Sequence, residues 1–155
     1  MDLQTLFNGE ILEADLALDA GDLATDHGLA TAIVISLFTD ARARSDDELP
    51  AGETDQRGWW GDVVSPANAP ADRPWMTGSR LWLLSRAKQT PETARRAEHY
   101  AREALAWVTA GRYARAAEVA AFWSDAILGR LDLVVTVTRP DGTPERFSFL
   151  WRQPQ

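Results

Sequence analysis

The sequence predicts an α+β fold, helices packed on a small antiparallel sheet with a C-terminal β-meander, and three observations carry that prediction. A strongly marked helix spans residues 90–111, period-two alternation takes over after it, and Arg139-Pro140-Asp141-Gly142-Thr143 supplies a turn between two alternating runs. Helical patterns followed by consecutive alternating runs belong to the segregated α+β class. A length of 155 residues suits one such domain with a buried core, and no internal repeat suggests a second.

Residues 1–27 form a polar, broken segment in which only the run from Ile11 to Leu18 alternates, enough for one short strand. An end so poor in apolar residues is suited to lie on a neighbour. In residues 28–38, Leu29, Ile33 and Leu37, with Ala30, Val34 and Phe38, fall at helical spacing. The run Ile33-Val34-Ile35 suits a buried strand equally well, and periodicity leaves both open.

Residues 39–78 are a long loop region rich in Pro, Gly and Trp, punctuated by Pro50, Gly52, Gly58, Gly61, Pro66, Pro70 and Pro74. Loops of that length in a compact domain are uncommon and are usually functional or ordered by a partner. Within it, Arg57-Gly58-Trp59-Trp60-Gly61-Asp62 sets two large aromatics between glycines, an apolar plug on a permissive backbone. Residues 43–56 carry no motif and receive no role.

Residues 79–88 are expected to form a short helix anchored by Leu81, Trp82 and Leu84. The next helix has the plainest signals: Thr90 as N-cap, Pro91 at the first position and Glu92 at the positive end of the dipole. Ala94, Ala97, Tyr100, Ala101, Ala104, Leu105 and Val108 make its inward stripe. Glu92–Arg96 and Glu98–Arg102 are expected as outward pairs, and Gly111 as the stop. Three strands follow, with Val119, Ala121 and Trp123, then Leu131, Leu133, Val135 and Val137, then Phe147, Phe149 and Trp151 on alternating positions.

Composition bounds the function. The chain is 45% hydrophobic and 25% charged, which is that of a globular protein. No apolar run reaches a membrane span, and Met1-Asp2-Leu3-Gln4 lacks the features of a signal peptide. Without cysteine there is neither a disulfide framework nor a thiolate zinc site, so folding in the cytoplasm is expected. A formal net charge of −7 argues against nucleic-acid backbones as partners. Acidic residues crowd the first third and arginines cluster from Arg80 to Arg115, an asymmetry that suits oriented docking and also ordinary solvated faces. Seven tryptophans are many for this length, and Trp favours cores and interface hot spots alike.

Residues able to carry chemistry are scattered. His27 and His99 have no second histidine or cysteine nearby, and Ser36, Ser79 and Ser85 lack a nucleophile-elbow context. Asp40, Asp46, Asp47 and Glu48 are the acidic residues that a glycosidase or a calcium loop would draw on, with Asp46 or Glu48 as the glycosidase candidates, yet solvated acidic loops are far commoner. Trp59, Trp60 and Trp75 would suit a carbohydrate platform, although tryptophans more often pack in their own core. No catalytic group, cofactor site or metal site is expected.

Four blocks are more specific. Thr39-Asp40-Ala41-Arg42 after an apolar helix, the Gly58-Trp59-Trp60-Gly61-Asp62 block, Gly78-Ser79-Arg80-Leu81-Trp82 and Glu103-Ala104-Leu105-Ala106-Trp107 precede a Pro140-Asp141-Gly142 hairpin with a Phe147, Phe149, Trp151 ending. In this order they resemble the Mu-type baseplate protein family of tailed phages, over nearly the whole chain from about Asp15. That family is similar to the small wedge proteins of other contractile tails and of type VI secretion baseplates. The resemblance implies a helix for residues 28–38 and a structural, non-enzymatic subunit in the virion tail baseplate. It implies six copies around the tail tube, beside the large baseplate wedge protein and other baseplate and hub proteins, with the tail sheath as a further partner whose first ring would take a strand edge. Carried onto this chain, the interface candidates are Arg57, Trp59, Trp60, Asp62, Trp75 and Arg80, with Trp123, Phe149 and Trp151 on the strands expected to offer that edge. The alternatives in view are a tail-associated carbohydrate-binding module and a cell-wall glycosidase.

Overall fold

A computed structural model describes residues 29–65, 75–125 and 129–151 in full, together with the backbone of short strands between Asp2 and Asp26 and of Arg152. His27, Gly28, Pro66, Pro70 and Pro74 lie outside the described residues.

The fold is α+β. Asp2–Leu3 (β1), Thr5–Asn8 (β2), Glu13–Leu16 (β3), Leu18–Asp19 (β4), Asp22–Leu23 (β5) and Thr25–Asp26 (β6) form three small antiparallel ladders, β1 with β6, β2 with β3 and β4 with β5. This exceeds the single short strand expected there. β3 does fall within the alternating run, but β1 pairs across the segment, bringing Asp2 opposite Asp26, a partnership that local periodicity does not reveal.

Residues Ala30–Phe38 form a helix (α1), with Ile33, Val34 and Leu37 buried. Its polar Ser36 is accommodated twice over: its hydroxyl donates to the Ala32 carbonyl at 2.8 Å and accepts from Trp107 Nε1 at 2.9 Å. The chain leaves α1 at Thr39 and forms a parallel bridge between Asp40 and Ser79, with Ala41 N donating to Ser79 O and Ser79 N to Thr39 O, each at 2.9 Å. Gly78 sits at the crossing with φ +97°, and an added Cβ there would overlap the Thr39 carbonyl oxygen. The Ser79 hydroxyl donates to Leu37 O at 2.5 Å and the Trp82 indole to Ala41 O at 2.8 Å, so this bridge is stitched from both sides.

The helix expected over residues 79–88 is instead a single 3-10 turn, Leu81–Leu84, whose four residues are all buried. Its backbone bonds reach three residues back, Leu83 N to Arg80 O, Ser85 N to Trp82 O and Ala87 N to Leu84 O, the tighter pattern that is used in short pieces. The long helix is Pro91–Ala104 (α2), with the Thr90 side chain accepting from Thr93 N at 3.2 Å as the cap. It breaks at Leu105 into a short helix, Ala106–Ala110 (α3), instead of running to Gly111 in one piece. The break leaves the inward stripe in register: Ala94, Ala97, Tyr100, Ala101, Leu105 and Val108 are buried, while Ala104 is half-buried. Glu98 pairs with Arg102 as expected, but Glu92 takes Arg95, and Arg96 reaches the Tyr100 hydroxyl at 3.2 Å. Gly111 ends the helix, yet the left-handed residue is Arg112, with φ +60°.

The meander comprises Ala116–Asp125 (β7), Arg130–Thr138 (β8) and Pro144–Arg152 (β9), antiparallel in the order β7-β8-β9. Val119 faces Val135 and Val135 faces Phe147 across the ladders, so one face is apolar in register. Leu131, Leu133, Val135 and Val137, almost wholly buried, form the middle of the core beneath α1, α2 and the 3-10 turn. Phe38 meets Phe149 edge-on at 5.6 Å, closing α1 onto β9.

Candidate interaction surface

A buried ion cluster surrounds Arg80. The Arg80 side chain is 5% exposed. Its Nη1 donates to both Asp47 carboxylate oxygens, at 2.7 and 2.8 Å, and its Nη2 to Glu103 Oε2 at 2.5 Å. The guanidinium also lies 4.6 Å from the Tyr100 ring centroid. Arg44 adds a side-chain pair to Glu103, and its backbone N–H donates to Asp47 Oδ2 at 2.8 Å. Residues 43–47, which carry no sequence motif, are thereby pinned to α2. Burial pushes the Asp47 carboxyl up, but the Arg80 hydrogen bonds, the Arg44 N–H and the two positive charges outweigh it and hold it below the usual carboxylate range.

A second arginine is held by a separate set of partners. Arg57 Nη1 donates to Asp40 Oδ2 at 2.8 Å and Nη2 to Glu53 Oε1 at 3.1 Å, with the guanidinium 4.5 Å over the Trp82 ring. Its backbone N–H donates to Asp55 Oδ1 at 2.9 Å, and its φ is +52°. The chain then passes through Gly58 and Trp59 into a 3-10 turn, Trp60–Val63. The Trp59 ring folds back over Gly61, where any side chain would collide with it, and stands 5.5 Å from the Trp60 ring. Asp62 closes the far end by accepting Thr77 N on both oxygens, at 3.1 and 3.0 Å.

The turn is strongly apolar outward. Eight large hydrophobic side chains are exposed among the described residues, and Trp59, Trp60, Val63, Val64 and Met76 lie in this turn or in the extended segment that Thr77 ties to Asp62. Trp60 is 82% exposed and Val63 88%. Exposed apolar clusters of this kind are a common feature of association surfaces.

The interface candidates therefore separate. Trp59 and Trp60 present themselves to solvent, Arg57 and Asp62 anchor the turn, and half-buried Trp75 donates from Nε1 to Thr77 Oγ1 at 3.2 Å beside it. Arg80 is buried in the ion cluster, and Trp151 is buried in the core on β9. Trp123 donates from Nε1 to Thr90 O at 2.9 Å, tying β7 to the start of α2, and Phe149 packs on Phe38. The structure thus gathers Arg57, Trp59, Trp60, Asp62 and Trp75 in one place and leaves the strand residues elsewhere. Sequence reasoning missed Val63, Val64 and Met76, although the apolar pair directly follows the tryptophan block. It also missed Asp47 as the partner of Arg80, since nothing in spacing links positions 33 residues apart. Of the acidic residues, Asp40 and Asp47 are taken by arginines, Asp46 and Glu48 are exposed, and Glu103 turns to Arg80 and Arg44 while His99 is exposed.

By build, this is a small α+β domain with a buried arginine cluster and an exposed aromatic turn. The phage protein GP46 family model matches residues 29–144, and the chain belongs to that family. It is 46% identical over 140 residues to baseplate protein gp46 of Escherichia phage Mu, covering 87% of this chain and 86% of that protein. It is 39% identical over 145 residues to the Mu-like prophage FluMu protein gp46 of Haemophilus influenzae, covering 94% and 91%.

Proposed function

We propose that this protein is a structural, non-catalytic subunit of a phage tail baseplate, a wedge component that binds neighbouring baseplate proteins and helps to start the sheath. The observation that carries the reading is the similarity to the Mu baseplate protein along most of both chains. The Trp59–Trp60 turn is the surface assigned to a wedge neighbour, because its exposed aromatics can bury area that the chain's own core does not use. β7 and β9 are the outer strands of the sheet, so each has a side unpaired within it, and strand addition by the sheath is a sound use of such an edge. The non-catalytic reading is supported by the exposed setting of Asp46 and Glu48.

Tagged protein drawn from cells expressing the neighbouring tail genes tests this reading. Co-purification of the large baseplate wedge protein is expected, and its loss with a folded Trp59→Ala, Trp60→Ala variant would assign the turn to that contact. Failure to retain any tail protein, under conditions where the other baseplate parts assemble, would overturn it. Quenching of tryptophan fluorescence by host glycans, or cell-wall lysis lost on replacing Asp46 or Glu48, would support the carbohydrate-binding or glycosidase alternative instead.

A further inference from the structure

We propose that Arg57 is the positioning residue of the Trp59–Trp60 turn, holding an exposed apolar knob in its docking shape before any partner arrives. The inference rests on the assembly reading above for the use of the knob, but its geometry stands in the free chain. Three separate parts of the chain grip the guanidinium: Asp40 just after α1, Glu53 in the turn at residues 50–53, and the ring of Trp82 in the buried 3-10 turn. The backbone at Arg57 is left-handed, a conformation that disfavours any residue with a Cβ and persists only where surrounding contacts enforce it. Gly58 follows at φ +114°, so two successive left-handed residues swing the chain outward immediately before Trp59. The far side is tied as well, by Asp62 to the backbone of Thr77.

Such anchoring gives little to folding. Trp60, Val63 and Val64 remain exposed, so ordering them returns almost no buried area within this chain. The gain comes on association, where a turn already fixed loses less conformational freedom than a mobile one. Arg57's charge is paired and the Asp62 carboxylate is taken up by the Thr77 amide. That leaves an outward apolar tip of Trp60, Val63 and Val64, which fits an apolar pocket on a partner protein better than an anionic membrane surface or a sugar rich in hydroxyls.

Amide exchange on the full chain tests the positioning role directly. Asp62 N donates to Trp59 O at 3.1 Å and Val64 N to Gly61 O at 3.2 Å, so these two amides report on the turn. Arg57→Gly removes the guanidinium while tolerating the left-handed backbone. The expected result is exchange at Asp62 and Val64 at least about tenfold faster, with the amides of α2 and β8 unchanged. Wild-type exchange rates at both positions in the variant, or no protection of them in the wild type, would overturn the proposal. Should Arg57→Gly fail to fold, Glu53→Ala removes one acceptor of the guanidinium at a half-exposed site, and a smaller acceleration confined to the turn is expected; no acceleration overturns the proposal. Protection that depends on Arg57, combined with no baseplate partner, would count against the assembly reading and leave the positioning role intact.

Discussion

Arg80 Nη1 donates to both carboxylate oxygens of Asp47, at 2.7 and 2.8 Å, across 33 residues of sequence. This contact fastens an otherwise unpatterned loop to the start of the buried 3-10 turn, and Arg80 Nη2 carries the link on to Glu103 of α2. Breaking a buried pair from one side strands the other charge, which costs far more than the pair's net contribution. Arg80→Ala is therefore expected to destabilise the protein by about 3 kcal/mol or more in urea unfolding. A loss below about 1 kcal/mol would mean that the cluster relaxes to solvent.

The same contact sets an acid limit. The folded-state pKa of Asp47 lies below its ordinary value of 3.8, so its contribution is present above that value and is lost as pH falls through the lowered one. Stability followed from pH 7 downward is expected to fall below about pH 4, and Asp47→Asn to flatten that part of the profile. An unchanged acid limb in the Asn variant would place the titrating group elsewhere.

Gly78→Ala meets a backbone atom, the Thr39 carbonyl oxygen, at a positive φ. Neither obstacle can be relieved by a side-chain rotation. We expect a loss of about 2 kcal/mol or more, with the Asp40–Ser79 bridge opening first in amide exchange. A neutral substitution would show that this crossing is pliable.

Two of the tryptophans expected at an interface differ in role by burial. Trp151, 5% exposed, is expected to cost about 3–5 kcal/mol on replacement by Ala. Trp60, 82% exposed, is expected to change stability by less than about 0.5 kcal/mol while weakening capture of the baseplate neighbour. Equal destabilisation by both would show that Trp60 belongs to the core of the folded chain.

Thr90→Ala removes the side-chain acceptor for Thr93 N, and about 1 kcal/mol of stability is expected to go with it. The midpoint of thermal unfolding, read beside a Thr90→Ser control that keeps the hydroxyl, isolates the cap.

The helix Pro91–Ala104 and the strands Ala116–Asp125, Arg130–Thr138 and Pro144–Arg152 were legible in the sequence because their signals are local. A capping residue acts within one turn, and alternation sorts faces strand by strand. The glycine-tryptophan block was legible for a similar reason, since its aromatics and glycines adjoin one another. Tertiary structure alone decided which tryptophans face outward, and turned Arg80 from a surface candidate into a buried anchor. Burial and charge pairing depend on which distant residues arrive at the same place, as Asp47, Glu103 and Tyr100 do around Arg80. Spacing along a chain carries no record of that meeting, because the contacts are made through space by side chains whose separation in sequence has no period.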